Sequence, residues 1–247
     1  MNEYSVKILE ISSISSNTFN IKVEKPQGYT YTPGQFTNIS LIDGVKLDEK
    51  ESFCFVGLVE ASHLEFIIKL YNQNDSLKKA IVGSSVGKKL KISEPHGTFK
   101  YKGMGVFIAA GTGITPAIAI LRDLKHKNDL AGNMLIYSNR KMDDVILHTE
   151  LSQMLGIDYI NVFTKERYEG YFFGRIDKNF LRMQIVDSVR YFYLCGSSNF
   201  VQDMRLILKE FNIPSDSIIF EDAIVSNSIR KNKTEDIVNI EQTIENI

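Results

Sequence analysis

With 247 residues, 43% of them apolar and 24% charged, the chain is long enough for one large domain or two modest ones and apolar enough to bury a sizeable core. Its 29 Lys and Arg stand against 30 Asp and Glu, so no field of one sign exists to recruit nucleic acid or an anionic membrane. No apolar run approaches the ~20 residues of a membrane helix, and no apolar signal segment follows the N-terminus, so a cytoplasmic protein is expected.

Up to about Phe99 the chain reads as short strands. Apolar and polar residues alternate at period two over 5–11 and 18–24, and the runs 35–41, 52–57, 64–70 and 89–94 fit the same reading. Turn residues punctuate them at Pro33-Gly34, Asp43-Gly44 and Pro95-His96-Gly97. This pattern predicts a six-stranded antiparallel β-barrel over residues 1–102, with one short helix over 76–82 capped by Asp75.

Beyond Gly103 strands and helices alternate. The continuous apolar run 106–110 suits a strand buried on both faces, and a helix over 116–127 follows it. Strands are expected at 134–138, 159–164, 191–195 and 218–221, with helices at 143–155, 177–183 and 199–211. Such alternation implies an α/β doubly wound parallel sheet over residues 103–225. The polar stretch 226–247 reads as a C-terminal tail, disordered or docking late as a helix.

The most informative string is Gly111-Thr112-Gly113-Ile114-Thr115-Pro116, which joins a buried strand to a helix. Thr115 is a suitable N-cap, and Pro116 suits the first helical turn because its missing N–H would go unpaired there. Glycines admit a close ligand, and a helix N-terminus offers free N–H groups and partial positive charge, so the string predicts a seat for a dinucleotide diphosphate. The alternative is a tight turn with no ligand. After the next strand come Ser138, Arg140 and Lys141, placed to hold a 2′-phosphate and so to select NADPH over NADH, or else forming a solvated basic loop. Cys195 and Gly196 end a later strand, lining a nicotinamide pocket or simply packing at a turn. Cys54 and Cys195 lie far apart in sequence; a disulfide is open, and a reducing compartment favours two free thiols. Without a CxxC or Cys/His cluster, no metal site is expected, and His63, His96, His126 and His148 are read as surface or packing residues.

Taken together, these strings resemble the ferredoxin–NADP reductase superfamily, especially its small bacterial flavodoxin-reductase-like members. Tyr31-Thr32-Pro33-Gly34-Gln35-Phe36 looks like that family's strand entry and Gly97-Thr98-Phe99 like its barrel exit. The resemblance implies FAD, or FMN, in the barrel, NADPH or NADH on the α/β half, and hydride passing from nicotinamide to flavin. Electrons would leave to a flavodoxin- or ferredoxin-like protein or to a small-molecule acceptor. It also implies site residues. Glu51-Ser52-Phe53-Cys54 matches the family's Arg-x-aromatic-hydroxyl flavin pattern, with Phe53 packing on the ring and Cys54 replacing the hydroxyl. Lys69 and Tyr71 follow on the last strand before the small-residue turn Asn74-Asp75-Ser76, where Ser76 and Lys78 stand at the phosphate-contacting positions. Cys54 and Cys195 would flank the reacting atoms as the catalytic pair.

The departures from the pattern are as informative. Glu51 stands where the family places a phosphate-binding arginine, and two unit charges ~4 Å apart interact by ~4 kcal/mol at an effective dielectric of 20. Glu51 is therefore expected to point away from any phosphate, with Lys78 and Lys79 as substitute cations or as plain surface lysines. Phe220-Glu221-Asp222-Ala223 resembles the closing strand, with Ala223 where an aromatic is common. Two other readings stay open: a reductase of free flavin, and a non-catalytic, regulatory nucleotide-binding protein on the same scaffold.

Overall fold

The computed structural model describes residues 2–42, 50–71, 75–185 and 190–221. The expected turn at Asp43-Gly44, Asn74, Asp222-Ala223 and the tail lie outside the described residues.

In the first half, β1 (Glu3–Ser15), β2 (Thr18–Glu24), β3 (Phe36–Leu41), β4 (Glu51–Cys54), β5 (His63–Lys69) and β6 (Lys89–Ser93) form an antiparallel sheet in the order β4-β3-β6-β1-β2-β5. The sheet closes just past β4, where Phe55 bridges Phe66 and the Val56 N–H donates to the Glu65 carbonyl at 2.9 Å. Closure removes the free edges that would otherwise recruit another chain. Alternation puts Val6 and Ile8, Ile21 and Val23, and Leu64, Phe66 and Ile68 inside, around Tyr31 stacked on Phe55 at 4.1 Å. Gly34 is glycine for two reasons: its φ is +102°, and a Cβ there would lie 2.5 Å from the Phe99 carbonyl oxygen.

Helix α1 (Ser76–Val82) has the expected bounds, but Asp75 does not cap it with its side chain. That carboxylate instead accepts the Tyr71 N–H at 2.6 Å and lies 3.6 Å from Lys78 Nζ. A cation and a preceding N–H together outcompete the helix amides for the same oxygens.

The second half contains β7 (Gly105–Ala110), α2 (Thr115–His126), β8 (Met134–Asn139), α3 (His148–Leu155), β9 (Tyr159–Phe163), β10 (Phe172–Phe173), α4 (Lys178–Gln184), β11 (Tyr191–Cys195), α5 (Ser198–Glu210) and β12 (Ile218–Ile219). All pairings are parallel, in the order β10-β9-β8-β7-β11-β12. Phe107, Leu135, Tyr137 and Tyr193 face α2 and α3, while Val106, Ile108, Ile136 and Leu194 face α4 and α5. This two-sided burial explains the unbroken apolar run of β7. The chain winds outward from β7 through β8 to β10, then returns to lay β11 on its other side. A crevice therefore opens at the carboxyl ends of β7 and β11, where ligands of such sheets bind.

Three local expectations change. A 3₁₀ turn over Gly111–Ile114 precedes α2, so Thr115 is the first helical residue and not the cap; its Oγ1 donates to the Thr112 carbonyl at 3.1 Å. The helix expected over 143–155 is a 3₁₀ turn (Met142–Asp144) followed by α3, because Leu147 sits left-handed at φ +54° and breaks the run. Strand β10, two residues long, carried too little periodicity to be foreseen.

The halves share one apolar interior, since Val56, Ile67 and Phe99 of the barrel pack in the cluster built on α2 and α3. Polar links cross the same boundary. Arg122 on α2 grips Glu150 through Nε (2.6 Å) and Nη2 (2.8 Å), and its Nη1 donates to the Val56 carbonyl (2.8 Å) and to Glu65 (3.2 Å). The Glu221 carboxylate accepts the N–H groups of Thr98 (2.7 Å) and Phe99 (3.1 Å). Tyr193 OH donates to the Gly103 carbonyl at 2.7 Å and accepts the Lys102 N–H at 2.9 Å, fixing the connection between the halves.

Candidate functional site

Two adjoining cavities occupy the boundary. The first, of about 520 Å³, is walled by β4 (Glu51 to Cys54), by the Gly111–Ile114 turn with Thr115 and Pro116, and by Cys195-Gly196. The second, of about 540 Å³, lies beyond β8 and is walled by Ser138, Asn139, Arg140, Lys141, Thr164 and Lys165. Lys69, Tyr71, Ala110 and Gly111 border both.

The Gly111–Ile114 turn is held from several sides. Tyr137 OH, buried beneath the sheet end, donates to the Gly111 carbonyl at 2.9 Å, and Tyr71 OH reaches across from the barrel to Thr112 Oγ1 at 2.9 Å. A Cβ on Gly113 would sit 2.5 Å from Gly196 Cα and 2.6 Å from Gly196 N. Gly113 is thus glycine because the two crevice loops press backbone to backbone. Gly111, at φ +54°, faces open space apart from the Tyr71 hydroxyl 3.6 Å from its virtual Cβ, and leaves room for a ligand. Ile114 is fully buried in the core, so it can offer a ligand only backbone.

In the second cavity Asn139 is 5% exposed and its Nδ2 has no hydrogen-bond partner among the described residues. That nitrogen is closed to solvent, so Asn139 borders the cavity without presenting this donor to it. Arg140 is exposed and forms no ion pair among the described residues, and neither does Lys165 beside it, whereas Lys141 is paired with Asp143 at 3.2 Å. Two cations without an ion pair among the described residues, at one cavity, fit a phosphorylated nucleotide end. Reading by sequence overlooked Lys165, Thr164 and Asn139. The first two follow β9, and only the parallel pairing of β8 with β9 brings them here.

In the first cavity Phe53 is 6% exposed, packed with the barrel core while bordering the space. Phe99 and Ile67 add apolar wall. An aromatic ring system fits this part. The phosphate end fits less well. Glu51 lines the cavity instead of pointing away from it, and its Oε2 lies 3.1 Å from Lys78 Nζ. Lys69, 4% exposed, is committed to Asp144 Oδ1 at 2.7 Å and the Asp144 carbonyl at 3.3 Å, bridging the two halves. Ser76 is exposed on α1 and lines neither cavity, because the helix turns that position outward while Leu77 and Ile81 face the core.

Both cysteines are free and line the first cavity. Burial pushes the Cys54 thiol up to about 11, against a lowering contact from Thr115, with the Glu221 charge adding to the rise. Burial likewise holds the Cys195 thiol well above its ordinary value, with Cys54 adding to it. Neither is a thiolate near neutral pH, so the expected catalytic pair forms a neutral wall and supplies no nucleophile. Because both folded values exceed the unfolded one, the stability they contribute is complete below pH ~9 and is lost as pH rises, for Cys54 through about 11. Two results should follow: native protein resists iodoacetamide at pH 8 while urea-unfolded protein alkylates quickly, and the melting temperature falls between pH 9 and 11. Equal alkylation rates in the two states would contradict this placement. Among the described residues no group of three or more His, Cys, Asp or Glu could hold a metal ion, and no helix is long and apolar enough to cross a membrane.

Comparison with known proteins agrees with this geometry. Residues 107–206 match the family model described as "Oxidoreductase NAD-binding domain". A flavohemoprotein of Halalkalibacterium halodurans is 25% identical over 238 residues, covering 85% of this chain and 56% of its own. The chain spans about half the length of the curated relatives it matches. The flavohem-like FAD/NAD binding domain of the Vibrio cholerae nitric oxide dioxygenase superposes with a TM-score of 0.78 at 21% identity, covering 88% of this chain and 97% of that one. A ferredoxin NADP+ reductase from Neisseria gonorrhoeae, solved with bound FAD and NADP, superposes with a TM-score of 0.74 at 18% identity, over 85% and 92% of the two chains. The chain thus has the two-domain ferredoxin–NADP reductase-like fold, and its residues 107–206 are similar to oxidoreductase NAD-binding domains.

Proposed function

We propose that this chain is a flavin-dependent NAD(P)H oxidoreductase, with FAD as its flavin, that passes electrons to a separate flavodoxin- or ferredoxin-like protein or to a small-molecule acceptor. The observation that carries the reading is the first cavity itself. It joins the barrel segment Phe53-Cys54 to the Gly111–Ile114 turn and Cys195-Gly196 in one space. The two separate sheets support a division into a flavin half over residues 1–102 and a nucleotide half over 103–225.

When bound, the flavin supplies the capacity to take hydride from a dihydronicotinamide and to release electrons singly or in pairs. The residues of the chain supply position. The backbone of the Gly111–Ile114 turn and the start of α2 seat the coenzyme diphosphate. Ser138, Arg140 and Lys165 surround a 2′-phosphate. Cys54, Thr115 and Cys195 wall the reacting region, keep water out and hold their protons, so none of the three competes as a base. Tyr71 and Glu221 keep barrel and sheet at a fixed spacing.

The direct test is anaerobic mixing of flavin-loaded protein with NADPH or NADH, which should bleach the oxidised-flavin absorbance within the mixing experiment. Calorimetry showing no uptake of either coenzyme by folded protein, with or without flavin, would defeat the reading. For coenzyme choice, Arg140→Ala should weaken NADPH about ten-fold, a charge-assisted bond lost at an exposed site, while NADH changes by less than about two-fold. Equal losses for the two coenzymes would remove Arg140 from the 2′-phosphate.

A further inference from the structure

The two cavities treat phosphate in opposite ways. Around the second stand Arg140 and Lys165, which no carboxylate among the described residues neutralises. Around the first, four charged residues among those described line the space: Glu51, Glu221, Lys69 and Lys78. Both lysines are already held by carboxylates. Lys78 Nζ lies 3.1 Å from Glu51 and 3.6 Å from Asp75, and Lys69 Nζ lies 2.7 Å from Asp144. Among the described residues three carboxylates thus hold two ammoniums, while Glu221 accepts the Thr98 and Phe99 N–H groups. The side chains of Glu51, Lys78 and Asp75 are only 18–25% exposed, so solvent screens this cluster weakly. A phosphate brought to Lys78 would compete with two carboxylates for one cation and meet net negative charge. The apolar wall of Phe53, Ile67 and Phe99 is untouched by this.

We infer that the barrel recognises its flavin through the ring system and not through its phosphates, so that riboflavin, FMN and FAD bind with similar affinity and the flavin exchanges with solution. The inference rests on the flavin reading above and deepens it. Glu51 acts here as an internal occupant of the phosphate position, keeping Lys78 engaged when no ligand is present. The flavin is then a dissociable partner of the chain, taken at the level of the uncharged isoalloxazine and ribityl chain.

The test is calorimetric titration of the full chain with riboflavin, FMN and FAD, at about 50 mM and about 500 mM NaCl. Screening relaxes repulsion and weakens attraction, so FMN binding should hold or tighten as salt rises. The three affinities should agree within about three-fold. In Glu51→Gln, Lys78 gains freedom to meet a phosphate, and the FMN-to-riboflavin affinity ratio should rise about ten-fold, the change expected for one charge at a partly buried site. FMN or FAD binding more than ten-fold tighter than riboflavin to the unmodified chain, and weakening with salt, would overturn the inference while leaving the flavin reading intact. A ratio that falls in Glu51→Gln would also overturn it, because Glu51 would then be positioning Lys78 for a phosphate. Failure of all three flavins to bind would defeat the flavin reading and this inference together. The salt series uses only the unmodified chain, so it stands even if the variant does not fold.

Discussion

Replacing Arg122 by alanine should destabilise the protein by about 2–4 kcal/mol, somewhat less than removing one partner of a fully buried ion pair because Glu150 is a third exposed. The guanidinium is 17% exposed and touches three segments: Glu150 on α3, Glu65 on β5 and the Val56 carbonyl past β4. Burial opposes its charge, yet Glu150 and Glu65 hold the group above its ordinary value. The loss therefore has two parts. The boundary between barrel and sheet loses its bonds, and two carboxylates plus a carbonyl keep their burial without a donor. At 2–4 °C per kcal/mol for a chain of this size, the melting temperature should drop by roughly 5–15 °C. Arg122→Lys should recover only part of that, because an ammonium cannot grip Glu150 through two parallel bonds. A drop below about 2 °C in Arg122→Ala would mean that the apolar contacts of Val56, Ile67 and Phe99 carry the boundary by themselves.

The sequence discloses periodicity and loop chemistry well, and cross-chain neighbours poorly. The bounds of β2 and β11 were readable because alternation and a buried apolar run act locally, whereas those of α1 came out right although the Asp75 cap that suggested them does not form. Thr115 misled because a threonine before a proline is a good cap only if the chain is extended there, and the 3₁₀ turn begins four residues earlier. Leu147 gave no warning, since leucine in a left-handed conformation has no sequence signature. The glycines of the crevice loop were legible as special but not for the right cause. Gly113 answers to Gly196, more than eighty residues away. The same limit hid Lys165 and Thr164, and it hid the engagement of Lys78 by Glu51, which only the packing of α1 on β3 and β5 could disclose.

Gly113→Ala should be the most damaging single-methyl change in the candidate site. Its added Cβ would lie 2.5 Å from Gly196 Cα, 2.6 Å from Gly196 N and 3.0 Å from the Cys195 carbonyl carbon, all of them backbone. A flexible side chain could swing aside, but backbone yields only if the two loops separate. Those loops continue from β7 and β11, paired up to Cys195 and Ala109, so separation must be absorbed within a few residues at the crevice. Overpacking of this kind costs about 1–3 kcal/mol, and it displaces the backbone proposed to seat the diphosphate. Coenzyme affinity should therefore fall by about 100-fold or more, since a misplacement on the order of 1 Å at such a seat carries penalties of that size. Gly111→Ala is the informative control. Its φ of +54° charges alanine about 1–2 kcal/mol of backbone strain, but the space beyond its Cβ is open apart from the Tyr71 hydroxyl at 3.6 Å. If dihedral preference governed the loop, Gly111→Ala would be the worse variant; if loop-to-loop contact governs it, Gly113→Ala is. Titration of both variants with NADPH and NADH, alongside their melting temperatures, decides between the two. A Gly113→Ala protein that binds coenzyme as well as Gly111→Ala would show that the crevice loops do not need to touch.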